Sequence, residues 1–262
     1  MSKLITRGLV LPSMLLALAA AGLSCACNQW VQGYSRYGVP ITRLHYVCRD
    51  LLSSGEVVRA VGQPPTDSAQ VDADAGAVRQ ADAGAPAGSA QRKRAEGQEH
   101  LTIEVCNGVP GSWFTVQRFP ATSNLLYCAF DDAWVVAHKA KVFHFRQRPD
   151  GTKENSSYPS GHATEAAVLG GLLAALDPQH AKLADEMRTE LAQNRLILKK
   201  HYPTDLEAGD RLGKWLLTKM SQSRAFKRDF AAAAEELKPY TGASNAPGPK
   251  DQDQYGNRVN NR

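Results

Sequence analysis

After its first 27 residues, this 262-residue sequence has no run near the roughly 18 consecutive apolar residues that a transmembrane helix needs, so no membrane span is expected in the mature chain. Internal repeats are lacking too, which argues against stacked-repeat architectures. Alternation of apolar and polar residues, the mark of a half-buried strand, is missing, and only helical periodicities remain. There is no block of one charge. The 31 basic and 26 acidic residues are spread along the chain and leave a net charge of +5, which suits a solvated basic surface or an anionic ligand but offers no footprint for nucleic acid. Metal-ligand spacings are also lacking: Asp131, Asp132 and His138 lie close in sequence without a recognisable ligand set around them, so neither metal nor other cofactor is expected.

What is present begins at the N-terminus. Lys3 and Arg7 precede the apolar run "GLVLPSMLLALAAAGL", and small residues follow in "SCAC", the layout of a secretory signal peptide over residues 1–26. Cys25 follows "GLS" and is a candidate lipidated first residue, although Gly22 stands where a bacterial lipoprotein signal usually has leucine; cleavage after Ala21 or Ala26 is equally open. Export places Cys48, Cys106 and Cys128 in an oxidising compartment. A Cys106–Cys128 disulfide is the first expectation, because both flank one predicted core segment. The odd count leaves the pairing open to Cys25 or Cys27.

Residues 27–54 are expected as an ordered N-terminal segment. Residues 55–100, rich in Ala, Gly, Asp, Gln and Pro and without an aromatic, are expected as a disordered insertion or linker, because so little apolar surface cannot offset the entropy of ordering. A helical domain over 101–238 follows, then a disordered polar tail over 239–262. Within the domain, Asn124 to Arg148 reads as one long helix ended by Pro149. Further helices are expected from "PSGH" to Leu176, from Gln179 to Leu198, from Pro203 through Met220, and from Arg224 to Leu237. Trp134 and Trp215 are expected in the core, and His45, His100, His144 and His180 receive no role. The fold class is all-α, a helical bundle.

Three clusters carry chemistry. Lys141 and Arg148 in "KVFHFRQRP" are two helical turns apart on the expected helix and share a face, so a point charge and a planar fork can meet one multivalent anion. In "YPSGHAT", Ser160 is a good N-cap and Gly161 allows close backbone approach at a helix start, where free N–H groups and the helix dipole make an anion site; His162 in the first turn faces that anion. In "NRLILKKHYPTD", Arg195, His201 and Asp205 follow the pattern R-x5-H-x3-D, and Pro203 at a helix start lets Asp205 reach back to a ring nitrogen of His201. A ring held as N–H on one side presents an unprotonated, nucleophilic nitrogen on the other.

In this order, K-x6-RP, PSGH and R-x5-H-x3-D together resemble the three-part signature of the type 2 phosphatidic acid phosphatase superfamily. The wording "SYPSGH" is most similar to the secreted bacterial class A nonspecific acid phosphatases, which share an all-helical fold with vanadium haloperoxidases. The resemblance covers Lys141 to Asp205 closely. It implies that His201 attacks phosphorus to form a phosphohistidine, that Asp205 orients it, and that His162 protonates the leaving oxygen and then activates water. Lys141, Arg148, Ser160, Gly161 and Arg195 would hold the phosphoryl oxygens, and those cations would do the work of a metal ion. The implied protein is an exported, periplasmic, metal-independent acid phosphatase with phosphotransferase activity as a side reaction, a phosphomonoester as its partner, and homodimerisation left open. Three other readings remain: a lipid or isoprenoid phosphate phosphatase, a vanadate-dependent haloperoxidase, and a non-catalytic phosphate-binding protein. The sequence departs from the family at Asn194, where serine is usual, and in the nine residues between Pro149 and Pro159, which leave little room for a lid.

Overall fold

The computed structural model describes residues 46–47, 54–153 and 155–241. The expected signal peptide, Cys25, Cys27 and Cys48, nearly all of the 27–54 segment and the tail from 242 onward lie outside the described residues.

The described residues are all-α, with eight α-helices and no strand. These are α1 (Ser54–Val61), α2 (Ser68–Gly84), α3 (Ala90–Gly97), α4 (Pro120–Lys141), α5 (Gly161–Leu176), α6 (Ala181–Ile197), α7 (Pro203–Met220) and α8 (Arg224–Leu237). Short 3-10 turns stand at Ile103–Cys106 and Pro178–His180.

α5 is the central helix. Its sequence "GHATEAAVLGGLLAAL" is apolar nearly all round, the pattern of a helix with no solvent face, and Ala163, Ala166, Val168, Leu169 and Leu172 are buried. α4, α6 and α7 pack around it, and α8 covers α4. α4 has Pro at its first turn and no cap of its own; the Glu236 carboxylate of α8 accepts from the Ala121 and Thr122 N–H groups at 2.9 and 2.8 Å. That satisfies two donors a helix start otherwise leaves open.

The approach of α7 to α5 depends on two glycines one helical turn apart. A Cβ at Gly209 would lie 2.9 Å from Ala163 Cβ and clash with the Ser160 carbonyl, and one at Gly213 would lie 2.6 Å from Ala167 Cβ. The Ser160 N–H donates to the Asp205 carbonyl at 2.9 Å, so the starts of the two helices are also stitched directly.

Three expectations are corrected. The segment 55–100 is not a disordered linker: it forms α1, α2 and α3. Alanine gives α2 and α3 their propensity, the Asp67 and Ser89 side chains cap them, and a few anchors, Val57, Val61, Val78, Ala85 and Ala95, are buried. Arg92 binds the Ala85 carbonyl at 2.6 Å, the Ile197 carbonyl at 3.3 Å and Asp82 at 2.5 Å, tying α3 to the end of α6. Polar pins replace apolar area, which composition alone does not register. The helix expected to run to Arg148 ends at Lys141, because residues 144–148 leave it as a loop that pairs with 155–157: Ser157 N–H donates to the Arg146 carbonyl at 2.8 Å, and Arg146 N–H to Ser156 Oγ at 3.0 Å. Lys141 and Arg148 therefore do not share a helix face. Finally, Cys106 and Cys128 are both free and buried rather than bonded to each other. Trp134 and Trp215 are half-buried, the first stacked on His138 and the second under the Lys219 ammonium.

Gly209→Ala is expected to destabilise the protein by about 1–3 kcal/mol, because neither the Ser160 carbonyl nor the α5 backbone can move aside cheaply. Denaturant unfolding checks this; an unchanged midpoint would show that the α5–α7 approach is not tight.

Candidate active site

The site is built where the start of α5, the end of α6, the start of α7 and the loop after α4 converge. Ser160 is the N-cap of α5, its Oγ accepting from the Ala163 N–H at 3.3 Å. The N–H groups of the first turn have no partner within the helix, as at any helix start.

His201 lies in the turn between α6 and α7, which Lys199 makes possible by adopting φ 53°. The ring is buried, and its Nδ1 is 2.7 Å from the Ser157 carbonyl. A carbonyl oxygen can only accept, so Nδ1 carries the proton and Nε2 is bare. The sequence suggested Asp205 for this task. Its Oδ2 is 3.7 Å from Nδ1, beyond hydrogen-bond range, and instead accepts from the Tyr202 N–H at 2.8 Å. Its Oδ1 accepts from Arg146 Nη1 at 2.7 Å. Asp205 thus acts on His201 as a nearby charge, and the Ser157 backbone holds the ring. Burial pulls the His201 pKa down to about 3 against the opposing pull of Asp205, with Lys141 and Arg148 adding to the depression. The ring is neutral above that pH.

Three cations surround it. Arg195, in the last turn of α6, is only 5% exposed, yet its Nε and Nη1 have no hydrogen-bond partner. Burial and the neighbouring Arg148 charge lower its pKa to about 10, while Glu99 and Glu165 push it the other way. A buried guanidinium with open donors is costly unless an anion completes it. Arg148 donates to the Lys200 carbonyl at 3.0 Å and to Asn155 Oδ1 at 2.5 Å, and burial lowers its pKa. Lys141 Nζ donates to the Ser156 and Pro159 carbonyls at 2.7 Å each, so it holds the loop before α5 as well as contributing charge. Its pKa falls to about 7, through burial first and the Arg148 charge second.

The structure brings Lys141, Arg148, His201 and Asp205 within electrostatic reach of one another, and Arg195 within reach of Lys141 and Arg148. His162, in the first turn of α5, donates Nε2–H to the Glu99 carbonyl at 3.1 Å. Asn194 donates to Gln98 Oε1 at 2.7 Å and so serves α3's end. Several contributors escaped the sequence reading. Ser157 acts through its main chain, which no residue pattern can reveal. Glu165, buried on α5, faces Lys141 and Arg195; a lone acid one turn after His162 in an apolar helix was the available signal. Asp132 accepts from the Val47 N–H at 3.1 Å, and His138 Nδ1 bonds the Trp134 carbonyl at 2.8 Å. No group of three or more potential metal ligands occurs among the described residues.

Because Lys141 is largely neutral between about 7 and its ordinary 10.5, an anion bound beside it restores the charged form and draws in a proton. Calorimetry of inorganic sulfate, whose own charge is constant here, in buffers of differing ionisation enthalpy near about pH 8 should report uptake of up to about one proton. Proton release, or none exchanged, would contradict this assignment.

No protein-family model matches the chain. Among proteins similar to it is the non-specific acid phosphatase of Salmonella typhimurium, 25% identical over 169 residues that span 57% of this chain and 68% of that protein. The non-specific acid phosphatase of Salmonella typhi is 24% identical over the same length and shares. The acid phosphatase of Zymomonas mobilis is 24% identical over 146 residues, 50% of this chain and 55% of its own. The site described above thus belongs to a chain whose similarities are to acid phosphatases, at about one quarter identity.

Proposed function

We propose that this chain is an exported, metal-independent phosphomonoesterase of the class A nonspecific acid phosphatase kind, working through a phosphohistidine on His201. The observation that carries the reading is the fixed ring of His201: Nδ1 bonded to the Ser157 carbonyl, Nε2 bare, with the half-buried Lys141 and Arg148 beside it and the buried Arg195 beside them. The similarity to named acid phosphatases supports the same class.

In the first step the Nε2 lone pair attacks phosphorus and the ester P–O bond breaks. The leaving oxygen takes a proton from His162, whose Nε2–H donates to the Glu99 carbonyl and leaves Nδ1 as the nitrogen that exchanges the proton. As the N–P bond forms, positive charge develops on the imidazole. The Ser157 carbonyl and the Asp205 carboxylate, 3.7 Å from Nδ1, stabilise it. In the second step His162 removes a proton from water, the oxygen attacks phosphorus, and the P–N bond returns its electrons to Nε2. An alcohol in place of water gives phosphotransfer. The open Nε and Nη1 of Arg195, together with Arg148, Ser160 and the Gly161 N–H, receive the equatorial oxygens, and charge neutralisation by preorganised donors supplies most of the rate enhancement.

His201→Ala should lower hydrolysis of an aryl phosphate by about ten-thousand-fold or more. Rapid-quench labelling with radioactive substrate should trap an acid-labile, alkali-stable phosphoenzyme in the wild type alone, and chelator should leave the rate unchanged. Since only the neutral ring attacks and its pKa is depressed, activity should rise with pH through about 3. Retained activity in His201→Ala, or loss with chelator, would overturn the reading.

A further inference from the structure

Arg146 stands in the loop after α4, two residues before Arg148, and its guanidinium reaches in three directions. Nη1 donates to Asp205 Oδ1 at 2.7 Å and to Thr204 Oγ1 at 2.8 Å, both at the start of α7. Nη2 donates at 2.7 Å to Asp74 Oδ2 on α2. The guanidinium plane lies 4.1 Å over the Tyr202 ring, beside the nucleophile in sequence. The Asp74 and Asp205 side chains are fully buried and that of Arg146 is 12% exposed, so the triad is nearly dry. Thr204 closes it by donating to Asp74.

The main chain of Arg146 points at the same target. Its carbonyl accepts from the Ser157 N–H at 2.8 Å, and the Ser157 carbonyl is the group that holds His201 Nδ1. One residue therefore supports both neighbours of the imidazole, Ser157 through the backbone and Asp205 through the side chain.

We propose that Arg146 is a positioning residue for His201, fixing the Ser157 carbonyl and the Asp205 carboxylate against the ring, and that Asp74 anchors it to α2. The proposal rests on the reading of His201 as the nucleophile. It makes α2 part of the catalytic apparatus, although no residue of that helix touches the phosphoryl site. A guanidinium suits the task because its fixed fork can bridge two carboxylates and still stack on Tyr202, which an ammonium cannot reproduce.

The sign of the electrostatic effect separates positioning from simple stabilisation. The charged groups that face His201 are Asp205 from α7, Lys141 from α4 and Arg148 from the loop; those that face Asp205 are His201, Arg146, Lys141 and Arg148, with Asp74 beyond. Without the Arg146 cation, the one that contacts Asp205 directly, the carboxylate is less compensated beside the ring and favours the imidazolium more strongly. The titration of His201 then moves upward from about 3 toward the ordinary histidine range.

Arg146→Met in the full chain is expected to lower kcat by about a hundred-fold with KM altered less than about threefold, and to move the acid limb of kcat/KM upward by about one pH unit or more. Arg146→Lys should return the acid limb but recover only part of kcat. In Asp74→Asn the acid limb should not move upward, because Arg146 still compensates Asp205. Nitrogen-15 NMR of the His201 ring supplies a readout independent of turnover, with Nδ1–H and bare Nε2 in the wild type and a protonated or mixed ring at acid pH in Arg146→Met. If the wild type hydrolyses no phosphomonoester, the phosphatase reading falls, and the ring titration still decides the role of Arg146. A folded Arg146→Met with wild-type kcat and ring titration would overturn the proposal. So would a loss of kcat that tracks the folded fraction with the acid limb unmoved. Where Arg146→Met does not fold, Arg146→Lys decides: kcat within about threefold of wild type removes the need for the guanidinium fork.

Discussion

The hydrogen bond from His201 Nδ1 to the Ser157 carbonyl is the constraint on which the rest of the site depends. An imidazole in solution exchanges its proton between two nitrogens, and a nucleophile must have a chosen one bare. A carboxylate partner restricts that choice electrostatically, whereas a carbonyl does so by having no proton to give. The choice holds only if the carbonyl itself cannot turn. Ser157 is therefore fixed from both sides, by the Arg146 carbonyl on its N–H and by Lys141 on the neighbouring Ser156 and Pro159 carbonyls. Burial then keeps the ring neutral at any pH at which the fold is expected to work.

That arrangement has a cost, carried by the cations. Lys141, Arg148 and Arg195 are desolvated and near one another, and each has its pKa lowered. Mutual repulsion adds to desolvation for Lys141 and Arg195. Glu165 and Asp205 offset part of it, and both push the Lys141 pKa back up. The remainder is positive charge of the kind that attracts an anion. Open donors on Arg195 and a lowered Lys141 pKa are two expressions of one state, buried positive charge only partly compensated.

The legibility of this protein in its sequence follows the distance over which each interaction acts. Helix starts at Gly161, Pro203 and Arg224 were readable because caps and prolines act within a few residues, and the ends of α5 and α7 fell where the sequence breaks. The cationic and imidazole positions stood out as candidates because their spacing lies within three short stretches. Long-range partners were not. α2 and α3 are held by Asp74, Arg92 and Gln98 pairing with α6, α7 and the loop after α4, so their low hydrophobicity misrepresents how well they are anchored. The α4 terminus at Lys141 is decided by where Thr152 and Ser157 pair with Arg148 and Arg146, which helical periodicity cannot express.

The x3 spacing between His201 and Asp205 illustrates how one local rule came to serve two purposes. Pro203 begins α7, which puts Asp205 in the third helical position, and there its Oδ2 turns back to the Tyr202 N–H in a capping box. A carboxylate committed to a cap has one oxygen facing the backbone and one facing away from it. The outward oxygen needs a partner once buried, and Arg146 supplies it. Capping thus sets the distance of 3.7 Å from Nδ1, close enough to stabilise a cationic ring and too far to compete with Ser157 for its proton. Were Asp205 one position earlier or later, the cap and the Arg146 bridge would be lost together. The motif is therefore as much a rule about starting α7 as about orienting a histidine.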